Sequence, residues 1–152
     1  MAAEIKKAGG EAIRRLKIAL SFLTIFPVDS GEYREGDLSR ASFFFPVVGT
    51  IIGALSALFF YLLYFLSGDS LLSAFGVTFL GIFITRGLHL DGLADSFDAL
   101  FSGAPQDRKQ EILKDPRHGT FGVVGILFLV GAKIFLLGGI EKDPLLFLFL
   151  AP

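Results

Sequence analysis

The sequence predicts an all-α, polytopic integral membrane bundle with an N-terminal amphipathic helix at the membrane interface. Three observations carry this. Of 152 residues, 53% are hydrophobic and the mean hydropathy is +0.65, above the roughly 45–50% apolar share of soluble domains. The apolar residues are clumped into long runs instead of being spread at amphipathic spacing, the pattern of spanning helices. Lys and Arg are distributed unevenly between the runs. Seven fall in residues 1–40 and five in 86–118, whereas the 67–70 turn holds none and the 141–144 turn holds one. The positive-inside rule then puts the N-terminus and the 86–118 segment in the cytoplasm.

The other bulk properties narrow the function class. A net charge of −1 argues against a nucleic-acid binder, which carries a strong basic excess. The absence of cysteine excludes a disulfide framework and a thiolate metal site.

Residues 1–12 are polar. Residues 13–26 read as an amphipathic helix. Ile13, Leu16, Ala19, Leu20, Phe22, Leu23 and Phe26 line one side; Arg14, Arg15, Lys17, Ser21 and Thr24 line the other. Such a helix lies in the interface with its cations toward the headgroups. A signal peptide is the competing reading, but no small-x-small cleavage site follows Pro27. Pro27 ends the helix, and 29–40 form a charged connector.

The first span is expected at about 41–66, longer than the roughly 20 residues needed to cross. Pro46 either kinks it or sits in its first turns. Gly49 and Gly53 form a GxxxG pair, a hint of close helix packing. Ser67–Ser70 is a short turn. The second span is expected at about 71–90, with Arg86 and His89 near its end, where a long cation reaches the interface. A polar loop over 101–118 includes a short helix around 106–114. The third span is expected at about 119–140, punctuated by Gly122, Gly125 and Gly131. Lys133 lies inside it and is expected to snorkel outward or pack its stem. A fourth run begins at Pro144, but Pro144–Pro152 is nine residues, too few to cross. The expectation is a single membrane domain over 1–152 forming the N-terminal portion of a longer chain.

The chemistry-bearing stretch follows the second apolar run: His89-Leu90-Asp91-Gly92-Leu93-Ala94-Asp95-Ser96-Phe97-Asp98. On a helix, Asp91, Asp95 and Asp98 fall at i, i+4 and i+7, within an arc of roughly 60°. Three like charges on one face repel, and beside a membrane the repulsion is screened less than in bulk water. Raised pKa values, basic partners or a bound divalent cation must compensate. Oxygen-only ligands suit Mg²⁺, Mn²⁺ or Ca²⁺ better than zinc. The plainer reading makes Asp91 an N-cap and leaves the other two on a solvated face. Ionisable residues at a membrane edge favour the site reading. His89 is a candidate general base or a carboxylate's partner, or simply an interfacial His at a helix end.

A second constellation is Lys114-Asp115-Pro116-Arg117-His118-Gly119-Thr120. A helix N-terminus flanked by cations suits an anion, and Arg117 can clamp a phosphate bidentately. Asp115 is a further candidate metal ligand. The plain alternative is a positive-inside flank with a helix-starting turn. Together the two constellations point to metal-assisted phosphoryl transfer, which needs cations to neutralise the phosphate oxygens and a base or oriented hydroxyl.

The chain resembles a known family, the adenosylcobinamide-GDP ribazoletransferases or cobalamin synthases. Ser21–Val28 resembles the family's F-L-T-x-x-P-V opening. Phe45-Pro46-Val47-Val48-Gly49, with Gly53, resembles its F-P-x-x-G run. His89–Asp95, as H-L-D-G-L-A-D with Asp98 beyond, resembles its signature. Glu111–Gly122 resembles its E-I-x-K-D-S-R-x-G-T-x-G stretch. The resemblance covers nearly all of 20–140, in order.

It implies an inner-membrane, Mg²⁺-using enzyme of late cobalamin synthesis. In that reaction the 3′-hydroxyl of α-ribazole, or of its 5′-phosphate, attacks the cobinamide-linked phosphorus of adenosylcobinamide-GDP, and GMP leaves. Carried over, Asp91, Asp95 and Asp98 are metal ligands or base, with His89 beside them. Lys114, Asp115, Arg117 and Gly119 handle phosphates and metal. Ile25 departs from a frequent Arg, and Pro116 from Ser. Family members run to roughly 250 residues, so further site residues are expected beyond this sequence. Oligomeric state, a homo-oligomer included, is left open.

Two other functions compete. A CDP-alcohol phosphatidyltransferase needs D-x-x-D-G-x-x-A-R, but Asp95 and Ser96 stand where its Ala and Arg belong and Leu88 where its first Asp belongs. A transporter or channel subunit would line a cation path with the three Asp residues, but these cluster after a span's end.

Overall fold

The computed structural model describes residues 1–113 and 119–139. The described residues are helical, with no strand among them. They hold two helical stretches long and apolar enough to cross a membrane, or three if one bent pair counts as a single span.

Helix α1 (Ala2–Leu23) stops at Thr24, whose backbone is extended and whose hydroxyl donates to the Leu20 carbonyl at 2.6 Å. The amphipathic pattern is present but its buried edge is rotated from expectation. Ile18 and Ala19 are the most buried residues, while Ile13, Phe22 and Phe26 are exposed. Thr24, expected on the polar side, is buried. The reason is that α1 packs its C-terminal half on protein. Ile18 and Ala19 join Ala41, Val48, Ile52 and Ile84 in one apolar cluster.

The connector after α1 is built around one ion pair. Arg14 donates to Asp37 Oδ1 at 3.1 Å and also to Oδ2, and to the Glu32 carbonyl at 2.8 Å. Asp37 also accepts from the Arg34 amide at 2.9 Å. Arg14 is therefore turned inward, not toward lipid headgroups, and ties α1 to α2 (Asp37–Ala41). Hydrogen bonds from the Arg14 guanidinium, and then from the Arg34 amide, hold the Asp37 carboxyl down at about 2. Because this lies below the ordinary value of roughly 3.9, its stabilisation is complete above about pH 4 and is lost as pH falls toward 2. Asp37→Asn should lower the melting temperature at pH 7, and the gap from wild type should close as melts are repeated toward pH 2.

After a short 3₁₀ turn, α3 (Phe45–Ser67) forms the first span. Pro46 sits in its first turn, where the missing N–H has no helical partner to lose. Of the GxxxG pair, Gly49 faces open space, so the two glycines do not form one close-packing surface. Gly68, in the left-handed conformation (φ 70°), ends α3. Asp69 then caps α4 (Ser70–Ile84), accepting from the Leu71 and Leu72 amides at 2.8 and 3.0 Å. The short turn expected at Ser67–Ser70 is this cap.

The expected second span does not run straight. Its helix ends at Ile84, and the chain restarts as α5 (Leu88–Phe101) at 88° to α4. The elbow holds two consecutive left-handed residues, Arg86 (φ 54°) and Gly87 (φ 68°). The segment following α1 completes it: the Ile25 amide donates to the Ile84 carbonyl at 2.8 Å, and the Arg86 guanidinium donates to the Ile25 carbonyl at 3.4 Å. A Cβ at residue 87 meets no neighbour, so Gly87→Ala isolates the backbone term. It should cost about 1 kcal/mol, read from equilibrium unfolding in detergent.

Helix α6 (Gln106–Ile112) and α7 (Thr120–Gly139) complete the described structure. Helix α4 packs between α3 and α7, and α5 lies against α7. Phe60, Ala74, Val77 and Leu137 form the second apolar cluster. Phe65, Phe79, Phe128 and Phe135 point outward and are 64–85% exposed, as suits helices whose solvent is lipid. The run expected to start a fourth span at Pro144 lies outside the described residues.

Candidate functional site

The signature stretch forms α5, and its acidic residues spread along a gradient of burial. Helix α5 starts after Gly87, so Asp91 lies inside its first turn and is not the N-cap. A carboxylate there is favoured by the helix dipole. Asp91 is exposed, Asp95 half-buried and Asp98 buried. The three share the predicted face but not one environment. Asp98 Oδ2 accepts from the Gly119 amide at 2.6 Å and Oδ1 from the Gly122 amide at 2.8 Å. Among the described residues, no three His, Asp or Glu side chains come together as a metal-holding group.

Glycines make that approach possible. A Cβ on Gly119 or Gly122 would collide with the Asp98 carboxylate, and one on Gly122 would also stand 3.0 Å from the Ala94 carbonyl. One turn further, a Cβ on Gly125 would stand 2.8 Å from the Phe97 ring. Gly122 and Gly125, expected only to punctuate the third span, therefore form with Gly119 the track on which α5 lies, whereas Gly131 faces open space. Phe101 extends the contact, stacking at a tilt with Phe97 (5.5 Å) and Phe121 (5.7 Å).

Two cavities meet at the elbow. An open depression of about 520 Å³ is lined by Phe22, Arg86, Gly87, Asp91 and Ile126 among others. A second cavity of about 360 Å³, mostly apolar, runs between α4 and α7, with Thr78, His89 and Lys133 in its wall. Thr85 and Leu90 line both. His89 and Asp91, expected side by side, thus open onto different cavities. Arg86, read as a snorkelling cation, lies instead in the depression with Asp91. Lys133, expected to snorkel outward or pack its stem, lines the inner cavity. A non-glycine residue with positive φ is not visible in sequence, which is why the Arg86 placement was missed.

Lys114, Asp115 and Arg117 lie outside the described residues. Gly119, expected to offer its amide to a phosphate, donates it to Asp98. An oxygen-only set of Asp91 and Asp95 suits Mg²⁺, which commonly keeps several waters and takes one or two carboxylates together with substrate phosphates.

The model of the family described as cobalamin-5-phosphate synthase matches residues 15–152. A protein from Caldanaerobacter subterraneus subsp. tengcongensis named adenosylcobinamide-GDP ribazoletransferase is 38% identical over 136 residues, covering 89% of this chain and 54% of that protein. A Shigella boydii protein of the same name is 39% identical over 137 residues, covering 87% and 55%. A third, from Thermoanaerobacter sp. (strain X514), is 34% identical and covers 88% and 53%. The chain spans about half the length of these curated relatives. No solved structure gives a significant match. With a family match that runs from α1 to the last residue, the chain belongs to the cobalamin-5-phosphate synthase family of membrane proteins.

Proposed function

We propose that the full-length protein is an adenosylcobinamide-GDP ribazoletransferase of the cell inner membrane, working on its cytoplasmic side. It joins α-ribazole, or α-ribazole 5′-phosphate, to the cobinamide phosphate and releases GMP. The observation that carries this reading is the elbow. It sets Asp91 and Asp95 on a helix turned 88° from the apolar one, with Asp91 lining a depression that also holds Arg86. A cation path would need acidic groups buried within a span, whereas Asp91, Asp95 and Asp98 all lie on α5, beyond the end of the apolar α4. The excess of Lys and Arg in 1–40 and 86–118 supports a cytoplasmic placement.

In this reading the 3′-hydroxyl of the ribazole attacks the cobinamide-linked phosphorus. The new P–O bond forms as the bond to the GMP oxygen breaks, and GMP departs with that electron pair. The hydroxyl proton passes to His89 or to a carboxylate of the α5 pair. Arg86, with Lys114 and Arg117, balances charge on the phosphate oxygens. Asp91 and Asp95 would hold Mg²⁺, with Asp115 as a further candidate ligand. When bound, the ion supplies charge neutralisation at the transferring phosphoryl group. The apolar walls of the inner cavity exclude water from the site's membrane side.

The test uses the full-length protein in membranes or detergent, supplied with adenosylcobinamide-GDP and α-ribazole. GMP release that depends on Mg²⁺ is the expected result. No release from a folded protein overturns the transferase; equal release without divalent cation keeps the transferase and removes the metal.

A further inference from the structure

We propose that Asp98 is a positioning residue, whose carboxylate clamps the first turn of α7 onto α5, in contrast to a role as metal ligand or base. It is 9% exposed, and each oxygen meets a separate amide at the start of α7, that of Gly119 just before the helix at 2.6 Å and that of Gly122 at 2.8 Å. These amides are among those that a helix start leaves without an intrahelical partner. An N-cap side chain normally satisfies them from within its own helix. Here the residue before α7 is a glycine, which has no side chain, and a carboxylate from another helix, 21 and 24 positions earlier, takes the cap's place. The helix dipole adds to the attraction for a negative charge at that end.

The clamp and its glycines define each other. A Cβ at residue 119 would stand 2.5 Å from Asp98 Oδ1, and one at 122 would strike Oδ2. Glycine is thus required twice, three residues apart, for a carboxylate to reach both amides. The geometric consequence is local. Gly119 is the residue at which the chain enters α7, so holding its amide fixes that junction against α5. The same carboxylate sits one turn beyond Asp95 on α5. It therefore sets how the helix that carries the acidic pair sits on the start of α7. This purpose rests on the ribazoletransferase reading; the clamp itself does not.

Two measurements on the full-length protein separate the possibilities. Amide exchange read by mass spectrometry tests the clamp without any activity. In Asp98→Asn the amide nitrogen replaces one oxygen and faces an N–H, donor against donor. Exchange of peptides covering 119–125 should rise at least about tenfold, corresponding to about 1.4 kcal/mol, with α3 peptides unchanged. Unchanged exchange at 119–125 overturns the clamp.

Kinetics test the positioning role. Asp98→Asn should raise the KM for adenosylcobinamide-GDP about tenfold while leaving the KM for α-ribazole and the Mg²⁺ concentration for half-maximal rate as in wild type. A shifted Mg²⁺ midpoint would make Asp98 a ligand and sink the proposal. Wild-type constants in a smaller folded fraction would reduce it to packing and sink it equally. Should Asp98→Asn not fold, Gly119→Ala keeps every carboxylate and pushes Asp98 off its amide; it should show the same donor-specific rise in KM. A wild type that releases no GMP refutes the transferase reading, and the exchange measurement still decides the clamp.

Discussion

Asp91→Asn and Asp95→Asn are each expected to lower Mg²⁺-dependent GMP release by the full-length protein at least about a hundredfold. Each substitution is close to isosteric and removes one negative charge. Asp91 is exposed in the depression, so its loss should leave folding intact. The cost should appear as weaker Mg²⁺ activation, with the midpoint moved to higher concentration. High Mg²⁺ should recover part of the rate if the remaining carboxylate still holds the ion. Rates within twofold of wild type for both variants, at limiting Mg²⁺, would move the site away from the start of α5.

Gly125→Val is expected to destabilise the protein by about 3 kcal/mol or more through overpacking. Its new Cβ would stand 2.8 Å from two ring carbons of Phe97, and that ring already meets Phe101. Relief needs α5 to lift from α7, which would also pull Asp98 from its two amides. Gly49→Val is the matched control. Its Cβ meets nothing within 4 Å, so the change should stay within about 0.5 kcal/mol. Reversible unfolding in mixed detergent micelles measures both. Equal values for the two positions would contradict the tight crossing of α5 over α7.

The contrast between these glycines shows what was readable in advance. Hydropathy located α3 and α7 to within a few residues at each end, because an apolar run of spanning length has few alternatives. Periodicity placed Asp91, Asp95 and Asp98 on one face of α5. Neither signal reports which helix a face meets. The GxxxG pair at 49 and 53 has the better-known spacing, yet the tight crossing uses 119, 122 and 125. The apolar run from Leu71 to Leu90 read as continuous because hydropathy is blind to φ, and the break rests on two left-handed residues, one of them Arg86. The Arg14–Asp37 pair joins positions 23 apart, beyond the reach of any local pattern. The role of Asp98 was hidden for the same reason: its partners are backbone amides, which every residue but proline carries.

The backbone bonds of Ile25 to the elbow have a consequence for the order of assembly. The Ile84 carbonyl and the Arg86 guanidinium both find their partner in a residue about sixty positions earlier. During synthesis, at roughly 5–20 residues per second, Ile25 emerges several seconds ahead of the corner it completes. The amino-terminal helix can therefore be waiting at the bilayer surface when α4 arrives, and the newcomer bends against a template already in place. A chain made without that segment would insert the same apolar run with its turn held only by bonds local to the elbow, such as that from the Gly87 amide to the Ile82 carbonyl at 2.9 Å.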